Sequence, residues 1–461
     1  MKRIILAISL SVIIAAAALG QDEPRGSAAS STTSPQSQAE FYAAADEVLG
    51  VMSKILDLPA KSPLKKSIRT KPEIRAYLVA EQKKGEPASK QYIDQRTLEA
   101  FGFIPKDFPL QSFLLNLLTD QVAGLYDPKS KSFFIADWIP LLEQKPVMAH
   151  ELTHALDDQY FHLQKWQKAA ESNDDASMAR DAVAEGSATA SMMDYMFAGL
   201  HVSVRQMPDI TPFIETGMAS EMTKDPNIAK APIFIRDELL FPYLDGAVFT
   251  QQFLKANSGW SDFKKVFEHP PVSTQQILHP NLYLQGVKPR SVNLPHLGSA
   301  IPHGWKKLDE NVVGEFSLAE LFKQFLGEDQ AKKFSPMWSG DRYALSENKK
   351  SKDTLLIILY ALDNPDDASK FYTAYRGLLA KKYGVANFSH ETSEFAETDK
   401  ALLDCRQDQC LTVEGPTSEV TNSVAARMLR NLNWPSLPMP PSAENNRAPS
   451  GIPAPSHHSQ P

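Results

Sequence analysis

Apolar residues recur at helical spacing from Phe41, where Phe41, Ala44, Ala45, Val48, Leu49 and Met52 share one face, and again over 72–83 with Ile74, Leu78 and Val79 inward. Residues 96–103 predict a third helix of the same N-terminal lobe. Between Gln121 and Ala136 the period changes. Two β-prone runs flank Asp127-Pro128-Lys129-Ser130, a favoured turn composition, which predicts a β-hairpin. The hairpin reads either as half-buried or as presenting an exposed strand that adds a peptide through main-chain hydrogen bonds. Val147, Leu152, Ala155, Leu156, Tyr160 and Leu163 then return to helical spacing, with Pro146 suited to a first turn and no Gly or Pro before Trp166. Ser172-Asn173-Asp174-Asp175 has the S-x-x-D spacing of a helix start and leads into an Ala- and Met-rich helix reaching Met196. Residues 200–236 have no clear period and read as a long excursion. A further helix opens at 241–249, and Ser273 or Thr274 caps a short one.

From Ile301 the pattern predicts a separate unit: helix 317–325, strands 342–345 and 354–362, helix 366–383, strands 385–389 and 401–413, and helix 418–432. The fold class expected for the chain is α+β, with a mostly helical domain over 39–300 and an α+β accessory domain with a small antiparallel sheet over 301–434. Residues 21–38 and 435–461 are rich in Ser, Pro and other small or polar residues and lack the apolar spacing of a core. They read as a flexible linker and a disordered tail.

Composition narrows the function. The chain has 461 residues, a formal charge of −7 and a pI near 5.9, which gives no basic footprint for nucleic acid. Lys2 and Arg3 precede an apolar run from Ile4 to Leu19, and Ala18-Leu19-Gly20 offers small residues at a signal-peptidase site. Export is expected, periplasmic or extracellular, with residues 1–20 removed and no stable membrane insertion afterwards. Cys405 and Cys410 flank a short polar turn between two β-prone runs, where an exported setting favours a disulfide.

The chemistry-bearing stretch is Val147-Met148-Ala149-His150-Glu151-Leu152-Thr153-His154. On a helix His150 and His154 lie one turn apart on one face, so both imidazoles can reach one ion, and Glu151 stands beside them. Glu185 interrupts a run of small residues, Ala182-Val183-Ala184 before it and Gly186 and Ala188 after it. Small neighbours let helices approach closely, and a buried carboxylate needs a partner or a metal.

His150-Glu151-x-x-His154 followed by Glu185-Gly186-x-Ala188 resembles the gluzincin metallopeptidases, over about 145–195. The resemblance implies a zincin-like domain that binds Zn2+ through His150, His154 and Glu185. It makes Glu151 the base that activates water and a peptide or protein the substrate, and it implies an oxyanion donor, for which His279 and Tyr283 are the first candidates and Tyr243 and Tyr195 the next. Two features depart from that pattern. Thirty residues separate His154 from Glu185, and Thr189 stands where thermolysin-like members place an acidic residue. Asp157, Asp158 and Asp181 are candidates for the group that orients a histidine. The alternatives are a non-catalytic envelope binding protein on the same fold, or a zinc hydrolase of non-peptide amides.

Overall fold

A computed structural model of the chain describes residues 35–432 and 434, apart from 86, 122–123, 217–227, 229, 296, 387 and 393–394. The signal-peptide reading of 1–20, most of the linker and the tail fall outside the described residues. The last four residues assigned to the linker, 35–38, form the first turn of a helix instead.

The architecture is mixed α+β. Helix α1 (Pro35–Ile55) and strand β1 (Lys65–Arg69) precede α2 (Lys71–Gly85), α3 (Ala88–Phe101) and α4 (Leu110–Gln121). Strands β2 (Gly124–Asp127) and β3 (Ser132–Ala136) form the hairpin that the turn composition predicts, pairing Tyr126 with Phe133. The polar strand β1, which no apolar alternation signals, joins β3 in parallel and leaves β2 at the sheet edge. There follow α5 (Leu141–Phe161), α6 (Leu163–Lys168), α7 (Asp174–Phe197), α8 (Ile233–Ala256), α9 (Trp260–Glu268), α10 (Thr274–Leu278), α11 (Pro280–Leu284) and α12 (Leu297–Ala300).

The C-terminal unit is built on a seven-stranded sheet in the order β4-β5-β6-β10-β9-β8-β7, antiparallel at every pairing. Its strands are β4 (Trp305–Asn311), β5 (Trp338–Asn348), β6 (Thr354–Leu362), β7 (His390–Glu391), β8 (Phe395–Glu397), β9 (Ala401–Arg406) and β10 (Gln409–Glu414). Helices α13 (Gly314–Leu326), α14 (Glu328–Phe334), α15 (Pro365–Tyr383) and α16 (Ser418–Asn431) complete it. The unbroken apolar run of β6 has a simple cause: Leu356, Ile358 and Tyr360 enter the main core while Leu355, Ile357 and Leu359 enter a second core beneath α16. Cys405 and Cys410 face each other across the β9–β10 turn and are bonded.

Apolar packing is continuous between the two halves. Phe241 of α8 meets Phe316 of α13 at 4.4 Å between centroids, and Phe101 meets Tyr343 of β5 edge-on at 5.3 Å. Among the described residues no helix is long and apolar enough to cross a membrane.

Several expected boundaries move. α5 starts at Leu141, so Pro146 lies inside the helix rather than in its first turn. The carbonyl this deprives of an amide, four residues earlier, belongs to Leu142, which is exposed and can be hydrated. α5 also stops at Phe161, because His162 turns left-handed and the Asp158 carboxylate accepts the Leu163 amide. Asn173, not Ser172, caps α7, its side chain accepting from the Ala176 amide. α8 begins eight residues before Phe241 and carries Pro242 internally. None of the described residues of 385–389 lies in a strand, the next strand, β7, beginning at His390; Val385 closes α15 by donating to Ala380 O.

Candidate metal centre

α5 sets His150 and His154 on one side, and α7 crosses it in a packed pair. The two helices are joined at a second level by Thr153, whose hydroxyl donates to Ala149 O and lies 2.9 Å from the Ser191 hydroxyl. α7 is pressed from its other side by α8, and small residues make that approach possible. A Cβ on Gly186 would collide with the Gly246 backbone, and one on Gly246 with the carbonyl of Ala182. Glu185 is the polar residue beside that contact, and its carboxylate reaches across to α5.

Three side-chain atoms close a triangle. His150 Nε2 stands 3.1 Å from Glu185 Oε2, His154 Nε2 stands 3.3 Å from the same oxygen, and the two nitrogens are 3.2 Å apart. The imidazole planes are nearly perpendicular at 80°. Hydrogen bonds account for these three edges poorly. Two N–H groups both aimed at Oε2 leave the nitrogens facing each other, and a single N–H lies along one edge. A cation at the centre would accept one lone pair from each corner. With zinc–ligand distances near 2.0–2.1 Å, the edges of a tetrahedral site are about 3.3 Å, so this donor set fits zinc in number, type and spacing. Among the described residues it is the one group of three or more His, Cys, Asp or Glu side chains close enough to share an ion.

The cluster is inward-facing: His150 is 1 % exposed, Glu151 0 %, His154 5 % and Glu185 9 %. In the metal-free protein, burial opposes a charged His154, but the carboxylates of Glu185, Glu151 and Asp157 outweigh it and raise the imidazole to about 9. Burial likewise opposes the Glu185 anion, and the two histidines overcome it, holding the carboxyl well below its usual range.

Tyr126 of β2 ties the strand to the helix at two points. Its amide donates to Glu151 Oε2 at 2.7 Å and its hydroxyl to Asp158 Oδ2 at 2.9 Å. Gly124 keeps this approach open, because a Cβ there would crowd Val147 at 3.0 Å. The exposed-strand reading of the hairpin is therefore corrected. All four residues of β2 are buried and α5 covers the edge, with Glu151 holding the Tyr126 amide. Sequence reasoning missed Tyr126 since a main-chain amide leaves no residue signature; Gly124 before it was the available sign.

Of the acidic candidates around the histidines, Asp157 lies beside His154, and its Oδ2 has no hydrogen-bond partner. Asp158 serves Tyr126 and the helix end, and Asp181 accepts from Gln167. Thr189 is buried with an unpartnered hydroxyl. The structure sets the leading oxyanion candidates to other work. His279 Nε2 bonds Glu315 Oε1 at 2.8 Å, and the Tyr283 hydroxyl donates to His269 O. Tyr195 lies by Lys145 and Glu47. Tyr243 is the one whose ring lies along His150, at 6.0 Å and 23°.

One family model matches. It is described as a domain of unknown function (DUF8575) and covers residues 303–425, from just before β4 into α16. The matched stretch excludes α5 and α7. No curated protein and no solved structure matches the chain.

Proposed function

We propose that the protein is an exported zinc-dependent peptidase of the gluzincin kind, hydrolysing peptide bonds of a peptide or protein substrate. The observation that carries this reading is the triangle of His150 Nε2, His154 Nε2 and Glu185 Oε2, with edges of 3.1, 3.2 and 3.3 Å. His150, His154 and Glu185 would hold the ion, and the chemistry it would supply when bound is that of a Lewis acid toward a carbonyl and a water. Glu151, one residue from His150 and steered by the Tyr126 amide, takes the proton of the attacking water and hands it to the leaving amine. Asp157 steadies His154, and Tyr243, stacked on His150, supplies the donor toward the developing oxyanion. The bonded cysteines support an oxidising location.

The test of the reaction is Glu151→Gln. The variant keeps its zinc and loses peptide cleavage by a factor on the order of 100 or more. Normal cleavage by that variant removes Glu151 from the role of base.

A further inference from the structure

The C-terminal unit carries an open groove far in sequence from the histidines. Its walls are Leu294, Pro295, Leu297, Ile301, Pro302 and Trp305, its volume is about 800 Å³, and Lys307 and Lys349 also line it. These six side chains are neither fully buried nor fully exposed, so each leaves an apolar face turned outward. The wall is anchored from beneath: Arg427 of α16 donates to Ala300 O at 3.2 Å, and Ala300 is fully buried.

The chain leaves the described structure beside this groove. After α16 the Trp434 amide donates to Leu429 O at 2.9 Å. The Trp434 side chain packs with Leu432 against the same small core that holds Leu294, Leu297 and Trp305. The next residues are Pro435-Ser436-Leu437-Pro438-Met439-Pro440-Pro441. Prolines at 435, 438 and 441 fall on one side of a polyproline II helix, which repeats every three residues. Such segments dock in apolar grooves containing an aromatic ring, because their conformation is largely fixed before binding and little entropy is lost.

We propose that residues 435–441 dock in cis into the groove walled by Leu294, Leu297, Ile301 and Trp305. Attachment at Trp434 gives the segment a local concentration on the order of millimolar, so a weak contact suffices to keep the groove filled. The proline-rich tail is then an internal ligand of the accessory unit, independent of the metal reading.

A labelled synthetic peptide of residues 435–444 tests this by fluorescence anisotropy against three proteins: the full chain, the chain ending at Trp434, and the full chain carrying Leu437→Asp with Met439→Asp. Far-ultraviolet circular dichroism and the thermal midpoint check that each protein is folded. The proposal expects saturable binding to the shortened chain, binding at least roughly tenfold weaker to the full chain, and recovery in the double variant. In the shortened chain Ile301→Glu abolishes binding. Equal binding to the full and shortened chains, or binding to neither, overturns the proposal. So does an unrelated proline-rich peptide that binds the full chain as well as it binds the shortened one, since the groove would then be open to an outside partner.

Discussion

Gly186 and Gly246 pack backbone against backbone, one residue from the carboxylate that completes the metal triangle. The contact sets how deeply α7 sinks between α5 and α8, and so where Glu185 ends. Two effects compete in Gly186→Ala. Helix propensity favours alanine by about 1 kcal/mol, whereas overpacking into a backbone that cannot yield costs about 1–3 kcal/mol or more. Overpacking wins here, so the variant loses stability in chemical denaturation and binds zinc more weakly. Gly50→Ala, where a Cβ meets nothing within 4 Å, is the control and gains stability.

The two-point contact of Tyr126 gives a second expectation. Tyr126→Phe leaves the buried Asp158 oxygen without its donor and costs about 1–3 kcal/mol. The amide stays on Glu151 but is less firmly placed, so kcat falls while KM and zinc content hold. Unchanged kcat would show that the strand does not steer Glu151.

Stability is expected to fall with rising pH across neutrality. Burial lifts Glu238 to about 8 and Asp94 to about 7, and neither Asp94 oxygen has a hydrogen-bond partner. Carboxyls whose folded values lie above the unfolded ones bind protons more tightly in the native state. Their contribution is therefore complete only below the ordinary carboxyl values of 3.8 and 4.5, and it is lost progressively as pH climbs from there to about 7 and 8. Each contributes a slope of up to about 1.4 kcal/mol per pH unit. Denaturation midpoints at pH 5.5 and pH 8.5 check this, and Glu238→Gln flattens the difference.

Replacing both Cys405 and Cys410 by Ala opens a loop of sequence separation 5. The chain-entropy account gives a loss of roughly 2 kcal/mol, with some added cost from the buried space vacated. The thermal midpoint falls while zinc content is unchanged, since the hairpin belongs to a different sheet from the hairpin beside α5.

Legibility in the sequence followed the kind of interaction. Helices with one apolar face, such as α1 and α15, could be read directly, and so could the two tight hairpins, because their periods and turn residues are local. His150, Glu151 and His154 are equally local, one helical turn. Glu185 was readable because a charge among alanines needs a reason. β1 was not: Lys65-Lys66-Ser67-Ile68-Arg69 has no alternation, and its pairing with β3 arises only in the fold. The start of α8 was hidden by Pro242, which the helix tolerates internally. His279 and Tyr283 looked suitable by residue type, yet Glu315 and His269 claim them across distances no spacing rule covers. Tyr126 acts on Glu151 through its backbone, where residue identity is silent.

The central claim is that His150, His154 and Glu185 hold zinc. Elemental analysis of the purified chain, alone and as His154→Ala, tests it most directly. The account predicts about one zinc per chain, removable by a chelator with a drop in thermal midpoint, and none in the variant. A folded wild-type chain that takes up no zinc at micromolar concentrations, or a His154→Ala chain that retains it, would contradict the account.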